Sequence, residues 1–513
     1  MKFFQSLTAL AAVLALAACS NSSNTGGSPN NPGGSKRDGV STDMIVASAV
    51  DGEAVSFTIH EPTEFTEGSR YPLILEGHGY GGSKVNAASR PAAGDGGAMG
   101  RLLDAGYGVI SIDQRGFGES GGTVRLFDPD FEGRDLVQIV DWAEANLDWL
   151  AYRNNNLLLG AIGGSYGGGY QHTLLLNDPL QRLDAVVPEI TWHDLRDALF
   201  FNGVFKSTWA SVLAGAGSAT GNQDPLIQSG LASGLATNSL GAEETALLEK
   251  NSVFAGCRDG KMPRVDAMYW QSTGDTLFNL NETYRNYECV AAQGGDVRLL
   301  TKNGGHDSLL GGSSGEQCGN LDKVQAIVDW YDEKLKGQTG QASYVPEFCF
   351  HLNNSADDGV VTASLPRPTQ SFQVPAQTLL AQEGSVQRVT VPLTTIGAGG
   401  AVIAGIPAIN ISISDPLGLE LGDPIIFAIL AVNGSELQAN QVQPFRGYQA
   451  NVDSELVGVT NRLAEGDVLE LIIMAAHAPR YPTNGSTPGA AVSVEAMVSV
   501  PLLAGNLPAP PAN

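Results

Sequence analysis

Between residues 40 and 340, short and almost continuous apolar runs alternate with stretches whose apolar positions recur at helical spacing. Residues 71–76 (YPLILE), 107–112 (YGVISI), 156–162 (NLLLGAI), 185–187 (AVV), 267–270 (AMYW) and 297–301 (VRLLT) have the length and aliphatic content of strands buried on both faces. Between two of them, residues 133–149 (GRDLVQIVDWAEANLDW) place Leu136, Ile139, Val140 and Ala143 on one helical face. Further helices are predicted at 170–176 and 321–335. Strand and helix in alternation predict a parallel sheet with helices on both faces, in which ligands bind beyond the carboxyl ends of the strands.

The alternation breaks twice. Residues 189–255 open with EITWHDLRDALFFNGVFKSTWASVLAGAG and continue in Ser-, Gly- and Leu-rich helical segments, too long for a plain loop, and are expected to form a helical cap. After about residue 345 the texture becomes short and alternating, as in 385–391 (SVQRVTV), 408–413 (AINISI), 425–430 (IIFAIL), 468–473 (VLELII) and 491–496 (AVSVEA). Many short strands separated by turn residues predict an all-β sandwich. The divisions expected are a catalytic α/β region over 40–344, a sandwich over 345–505 and a frayed tail over 506–513.

At the N-terminus Lys2 precedes an apolar run from Leu7 to Ala18, which is too short to span a membrane and reads as an export signal over 1–18. The sequence LAAC ending at Cys19 resembles a bacterial lipoprotein box. That resemblance implies lipidation of Cys19 and, with Ser20 following, display at the outer membrane. A Ser/Asn/Gly/Pro tether fills 19–39. Attachment to the membrane is expected through the lipid alone.

Charge and cysteine content narrow the function. Lys and Arg total 29 against 54 Asp and Glu, a formal charge of −25, which repels a phosphate backbone and argues against nucleic-acid binding. Four cysteines remain beyond Cys19: Cys257, Cys289, Cys318 and Cys349. In an exported chain they imply two disulfides, with three pairings open, and their spacing fits no compact metal site. No metal or cofactor is expected.

The candidate chemistry centres on Gly163-Gly164-Ser165-Tyr166-Gly167, a G-x-S-x-G turn between a predicted strand and a predicted helix. In that setting a serine is presented on a strained turn with small neighbours, and no Gly-Lys-Ser/Thr is present to make a phosphate loop. A base and an acid should follow in the order Ser, acid, His. His306, in TKNGGHD after a strand, and Asp275, ending AMYWQSTGD, occupy those places; Asp307 is the competing acid. The reacting oxygen would be held by the Tyr166 N–H and by the loop Gly77-His78-Gly79-Tyr80, through a backbone N–H or the Tyr80 hydroxyl. His78 is expected to be structural, and Asp113 and Arg115 in DQRGFGESGG to fix a turn. In the cap, Trp192, His193 and Trp209, with Phe200 and Phe201, are candidates for an apolar substrate pocket. Glu189 and Asp194 are candidates for pairing with a substrate amine.

Together HGYGG (78–82), DQRGFGESGG (113–122), GGSYGG (163–168), GD (274–275) and GGH (304–306) resemble the α/β-hydrolase superfamily. More narrowly they resemble its Xaa-Pro dipeptidyl-peptidase (S15) and cocaine-esterase-like group. Residues 422–436 and 464–490 are similar to the galactose-binding-like jelly roll of that group. The resemblance implies an α/β-hydrolase fold with a helical cap, followed by a jelly-roll sandwich. It also implies acyl-enzyme chemistry on a small ester or peptide, with roles falling on Tyr80, Ser165, Tyr166, Asp275 and His306. The departure is Gly167 and Gly168, where many members carry a larger residue after Ser-Tyr. Three functions stay open: an Xaa-Pro dipeptidyl-peptidase, a broad carboxylesterase, and a surface protein that grips glycan with an idle site.

Overall fold

Ten strands build the central sheet: β1 (Ser41–Ala47), β2 (Ala54–His60), β3 (Leu73–Gly77), β4 (Gly108–Ile112), β5 (Leu159–Gly164), β6 (Leu183–Glu189), β7 (Asp266–Ser272), β8 (Val297–Lys302), β9 (Phe348–His351) and β10 (Gly359–Thr362). The structure is a computed structural model that describes residues 34–306, 318–352, 358–381, 387–420, 422–482 and 490–503. The export signal, Cys19, most of the tether, Asp307 and the tail lie outside the described residues.

The spatial order is β1-β2-β4-β3-β5-β6-β7-β8-β9-β10. Strands β3 to β9 run parallel, while β1, β2 and β10 pair antiparallel with their neighbours. Strand alternation explains the continuous apolar runs. Leu73, Leu75, Val186, Ala267 and Tyr269 enter one core, whereas Ile74, Ala185, Val187, Met268 and Trp270 enter the other. The first core is closed by Leu136, Ile139 and Val140 of α2 (Glu132–Asn146) and Leu174 of α3 (Tyr166–Asn177). The second is closed by Leu102 and Leu103 of α1 (Ala98–Asp104) and by Ile327, Trp330 and Tyr331 of α10 (Lys323–Lys334). Both faces are therefore covered, as a parallel sheet requires.

Between β6 and β7 the chain leaves the sheet for five helices: α4 (Leu195–Phe200), α5 (Ser207–Thr220), α6 (Pro225–Thr237), α7 (Ala242–Lys250) and α8 (Val253–Arg258). This is the helical insertion that the length of 189–255 demanded. Helix α9 (Leu280–Ala291) then joins β7 to β8. Of the three open cysteine pairings the fold makes Cys257–Cys289, tying α8 to α9, and Cys318–Cys349, tying the approach to α10 to β9.

The C-terminal region is all β. Strands Gln370–Ala381, Ala490–Val500, Ala408–Ser414 and Gln449–Glu455 form one sheet, and Arg388–Thr395, Val468–Met474 and Ile425–Val432 the heart of another. Ile409, Ile411 and Ile413 meet Ile426, Ala428 and Leu430 between them. The alternate residues Ile425, Phe427 and Ile429 pack outward with Val204 of the cap region, so this strand is apolar on both faces. One expectation is corrected: residues 348–351 and 359–362, assigned to the sandwich, extend the central sheet instead. Phe348 and Phe350 are fully apolar partners for Leu299 and Val360, and nothing in their alternation distinguishes the two kinds of sheet.

Candidate active site

Ser165 sits in the turn between β5 and α3 with φ 57° and ψ −118°, a conformation that side-chain-bearing residues rarely adopt. The surroundings over-determine it. Its N–H donates to the Glu189 carbonyl at 2.9 Å, and its own carbonyl accepts from Thr191 Oγ1 at 3.0 Å and from the Gly168 and Gly169 amides. The Tyr170 hydroxyl donates to the Leu75 carbonyl at 2.8 Å and pins α3 against β3. A Cβ at Gly167 would collide with the Gly77 carbonyl, and one at Gly168 with Thr191 and the Glu189 carbonyl that ends β6. The glycines that depart from the family pattern thus serve a close crossing of helix over strand.

Asp275 and His306 lie on the loops following β7 and β8, which the Gly274 N–H bridges by donating to the Gly304 carbonyl at 2.8 Å. Ser165 Oγ stands 2.7 Å from His306 Nε2, and His306 Nδ1 stands 2.7 Å from Asp275 Oδ2. Asp275 is wholly buried, and its second oxygen accepts from the Leu277 and Phe278 amides at 2.8 and 2.9 Å. A carboxylate that only accepts leaves the proton on Nδ1, so Nε2 faces the serine as an acceptor. Trp209 and Phe278 stand nearly perpendicular to the imidazole, ring centroids 5.4 and 5.2 Å away, and hold its plane. The three side chains form one hydrogen-bonded line able to draw a proton off the Ser165 hydroxyl.

A cavity of about 860 Å³, counted to its open mouth, rises from Ser165 into the cap. Tyr80 and Tyr166 stand at its floor with ring centroids 5.1 Å apart, edge to face. Burial pushes the Tyr80 hydroxyl above its ordinary pKa, so it remains a donor. The Tyr166 N–H opens α3 and belongs to the amides that a helix start leaves without an intrahelical acceptor. His78 accepts from the Gln114 N–H through Nε2 at 3.0 Å, a structural task. Asp113 accepts from the Lys84 and Glu119 amides at 2.7 and 2.9 Å, and Arg115 pairs with Asp135 at 2.7 Å and with Asp51, fixing their turn as expected.

The pocket residues expected from sequence divide. Trp192 lines the cavity. His193 does not: its Nδ1 meets Asn286 at 3.0 Å, its N–H donates to Glu282 at 2.7 Å, and burial holds the ring down at about 4. Trp209 backs His306 and donates from Nε1 to Thr276 Oγ1 at 2.9 Å rather than facing the cavity. Trp192 keeps its place in the wall because its Nε1 finds the Asn251 carbonyl at 3.2 Å outside the cavity lining, whereas the partners of His193 and Trp209 draw those rings away from it.

The carboxylates proposed for an amine are engaged elsewhere. Asp194 caps α4 through the Arg196 and Asp197 amides. Glu189 Oε2 accepts from Lys323 at 2.7 Å and Lys302 at 3.3 Å. Burial opposes its charge, but the two ammonium groups outweigh burial and hold it down at about 2. Glu189→Gln leaves two largely buried lysines uncompensated beside the serine turn, and a loss of about 2–3 kcal/mol at neutral pH is expected from denaturant midpoints. Because the folded-state value is depressed, the wild-type advantage exists above the ordinary carboxylate range and fades as pH falls toward about 2.

Three supports were not read from the sequence. Lys206 Nζ donates to the Thr276 and Leu277 carbonyls at 3.1 and 3.3 Å, with burial pulling it down to about 8 against Glu282 and Asp275. From the sandwich, Arg480 Nε donates to Thr276 Oγ1 at 3.0 Å and Gln441 Nε2 to the Thr273 carbonyl at 2.6 Å. All three grip the Asp275 loop. The lone lysine in the apolar run VFKSTWASVL is the signal that pointed to the first.

The family described as X-Pro dipeptidyl-peptidase (S15 family) matches residues 51–308. Two curated Escherichia coli proteins, each described as an uncharacterized 31.7 kDa protein in the traX-finO intergenic region, are 28% identical over 165 residues. The match covers 32% of this chain, which spans half the length of those relatives. Among solved structures, an alpha-amino acid ester hydrolase superposes with a TM-score of 0.65 at 14% identity, over 91% of this chain and 97% of its own. An aminopeptidase from a marine sediment Thaumarchaeota archaeon superposes with a TM-score of 0.61 at 14% identity, over the same shares. These two show a common fold across the α/β and β regions alike.

Proposed function

The chain belongs to the X-Pro dipeptidyl-peptidase (S15) family, and from that premise we propose that it is a serine hydrolase that cleaves an ester or amide through an acyl-enzyme on Ser165. The observation that carries this reading is the line Ser165–His306–Asp275, joined by two contacts of 2.7 Å, with Ser165 opening into the cavity. Ser165 Oγ attacks the substrate carbonyl while His306 Nε2 takes its proton. Asp275 holds the imidazole tautomer and balances the imidazolium that forms. The tetrahedral oxyanion is held by the Tyr166 N–H and the Tyr80 hydroxyl, donors whose residues both line the cavity beside Ser165. His306 then returns the proton to the leaving group and activates water on the acyl-enzyme. The carboxylate buried behind His306 and the strain at Ser165 both support a working site over an idle one.

The test is labelling by a fluorophosphonate probe. The folded protein is expected to take up one equivalent at Ser165; an unlabelled folded protein removes the serine-hydrolase reading. The family name favours amide cleavage after an Xaa-Pro pair, and turnover of a Gly-Pro anilide against simple esters separates the two substrate types.

A further inference from the structure

We propose that the cavity above Ser165 is an acyl-chain pocket, and that the substrate is an ester of an aliphatic acid of medium length. This rests on the serine-hydrolase reading and specifies its substrate. The wall is built from repeating apolar positions of three cap helices: Leu213 of α5, Leu226, Ile227 and Leu231 of α6, and Leu247 of α7. On α6 Leu231 follows Ile227 by four residues and so shares its helix face, and the small residues Ala210 and Ala214 of α5 and Gly230 of α6 line the cavity between the larger side chains and leave it open. Each of these five side chains is only half-buried, so the cap keeps a concave aliphatic surface that an apolar ligand would remove from water.

Charge and direction select the ligand. Among the described lining residues Glu244 carries the one carboxylate and there is no Lys, Arg or His; its Oε1 already accepts from Ser229 Oγ at 2.7 Å. An α-ammonium entering the cavity would shed its water beside leucines, with Glu189 held by two lysines and Asp194 capping α4. Tyr80, Ser165 and Tyr166 line the cavity, whereas His306 does not. The leaving group must reach His306 for its proton, so the part of the substrate that runs up the cavity on the oxyanion side is the acyl part. Attack then forms the Ser165 ester of the aliphatic acid and breaks the bond to the alcohol, which departs with the proton that His306 carries; water releases the acid.

The test is the kcat/KM profile of purified protein on nitrophenyl esters from acetate to dodecanoate, kept below their micelle concentrations, with fluorophosphonate labelling run in parallel. About a fourfold rise per added methylene is expected from acetate until the pocket is full. Ile227→Trp, or Leu231→Trp should that variant fail to fold, is expected to move the optimum to shorter acids and to lower the octanoate-to-acetate ratio. A labelled protein with a flat or falling profile, or one that turns over Gly-Pro anilide faster than the octanoate ester, overturns the acyl pocket and leaves the hydrolase reading in place. An unlabelled folded protein overturns both.

Discussion

Alanine at position 165 is expected to lower kcat/KM by about 10⁵-fold, close to 7 kcal/mol of transition-state stabilisation, without unfolding the protein. The hydroxyl makes one described contact, to His306 Nε2, and the turn is set by backbone bonds to Glu189 and from Gly168 and Gly169 that alanine keeps. The positive φ remains in the variant, so the strain is neither relieved nor increased. Thermal midpoints should agree within a few degrees while ester turnover and fluorophosphonate uptake disappear. His306→Ala should cost as much, and the double variant no more, because the two side chains perform a single proton transfer. If the losses of the single variants multiplied in the double, the two groups would be working independently and the relay would be wrong. On the proposed mechanism, what turnover survives should come from the Tyr166 N–H and the Tyr80 hydroxyl acting on the oxyanion.

The sequence announced this site because each part is local. Glycines crowd one serine after a strand, a Gly-Asp pair ends another strand, and a Gly-Gly-His follows a third. The strand order then brings β5, β7 and β8 to one side of the sheet, so three loops far apart in the chain share a few ångströms. What the sequence hid depends on distant packing. Trp209 and His193 look like pocket residues in a linear reading, yet their N–H groups draw them to Thr276 and Asn286, and plain leucines take the wall. The cysteine pairing required knowing that α8 lies beside α9. The grip of Arg480 and Gln441 on the Asp275 loop required knowing that the sandwich folds back against the catalytic region, which no local pattern in 345–505 encodes.

The second large effect is expected from Asp275→Asn, a change of one atom that should lower kcat about 10⁴-fold near neutral pH with little change in KM. Its cause is geometric. One oxygen of Asp275 accepts from two backbone amides, Leu277 and Phe278, and the other faces His306 Nδ1. An asparagine must keep its carbonyl oxygen toward the two amides, since turning its NH₂ there would set donors against donors in a fully buried site. Its NH₂ then points at Nδ1, which can meet it only as an acceptor. The imidazole proton is driven to Nε2, where it faces Ser165 Oγ as a donor and cannot take the serine proton. Binding should be spared, because the cavity and the oxyanion donors do not move. Asp275→Ala removes the wrong donor as well as the right acceptor and lets the ring choose its tautomer, so it should retain more activity than the asparagine variant despite the larger deletion. Single-turnover acylation rates of the two variants decide this: an asparagine variant as active as the alanine variant, or more active, would show that Asp275 acts by charge alone and not by orienting His306.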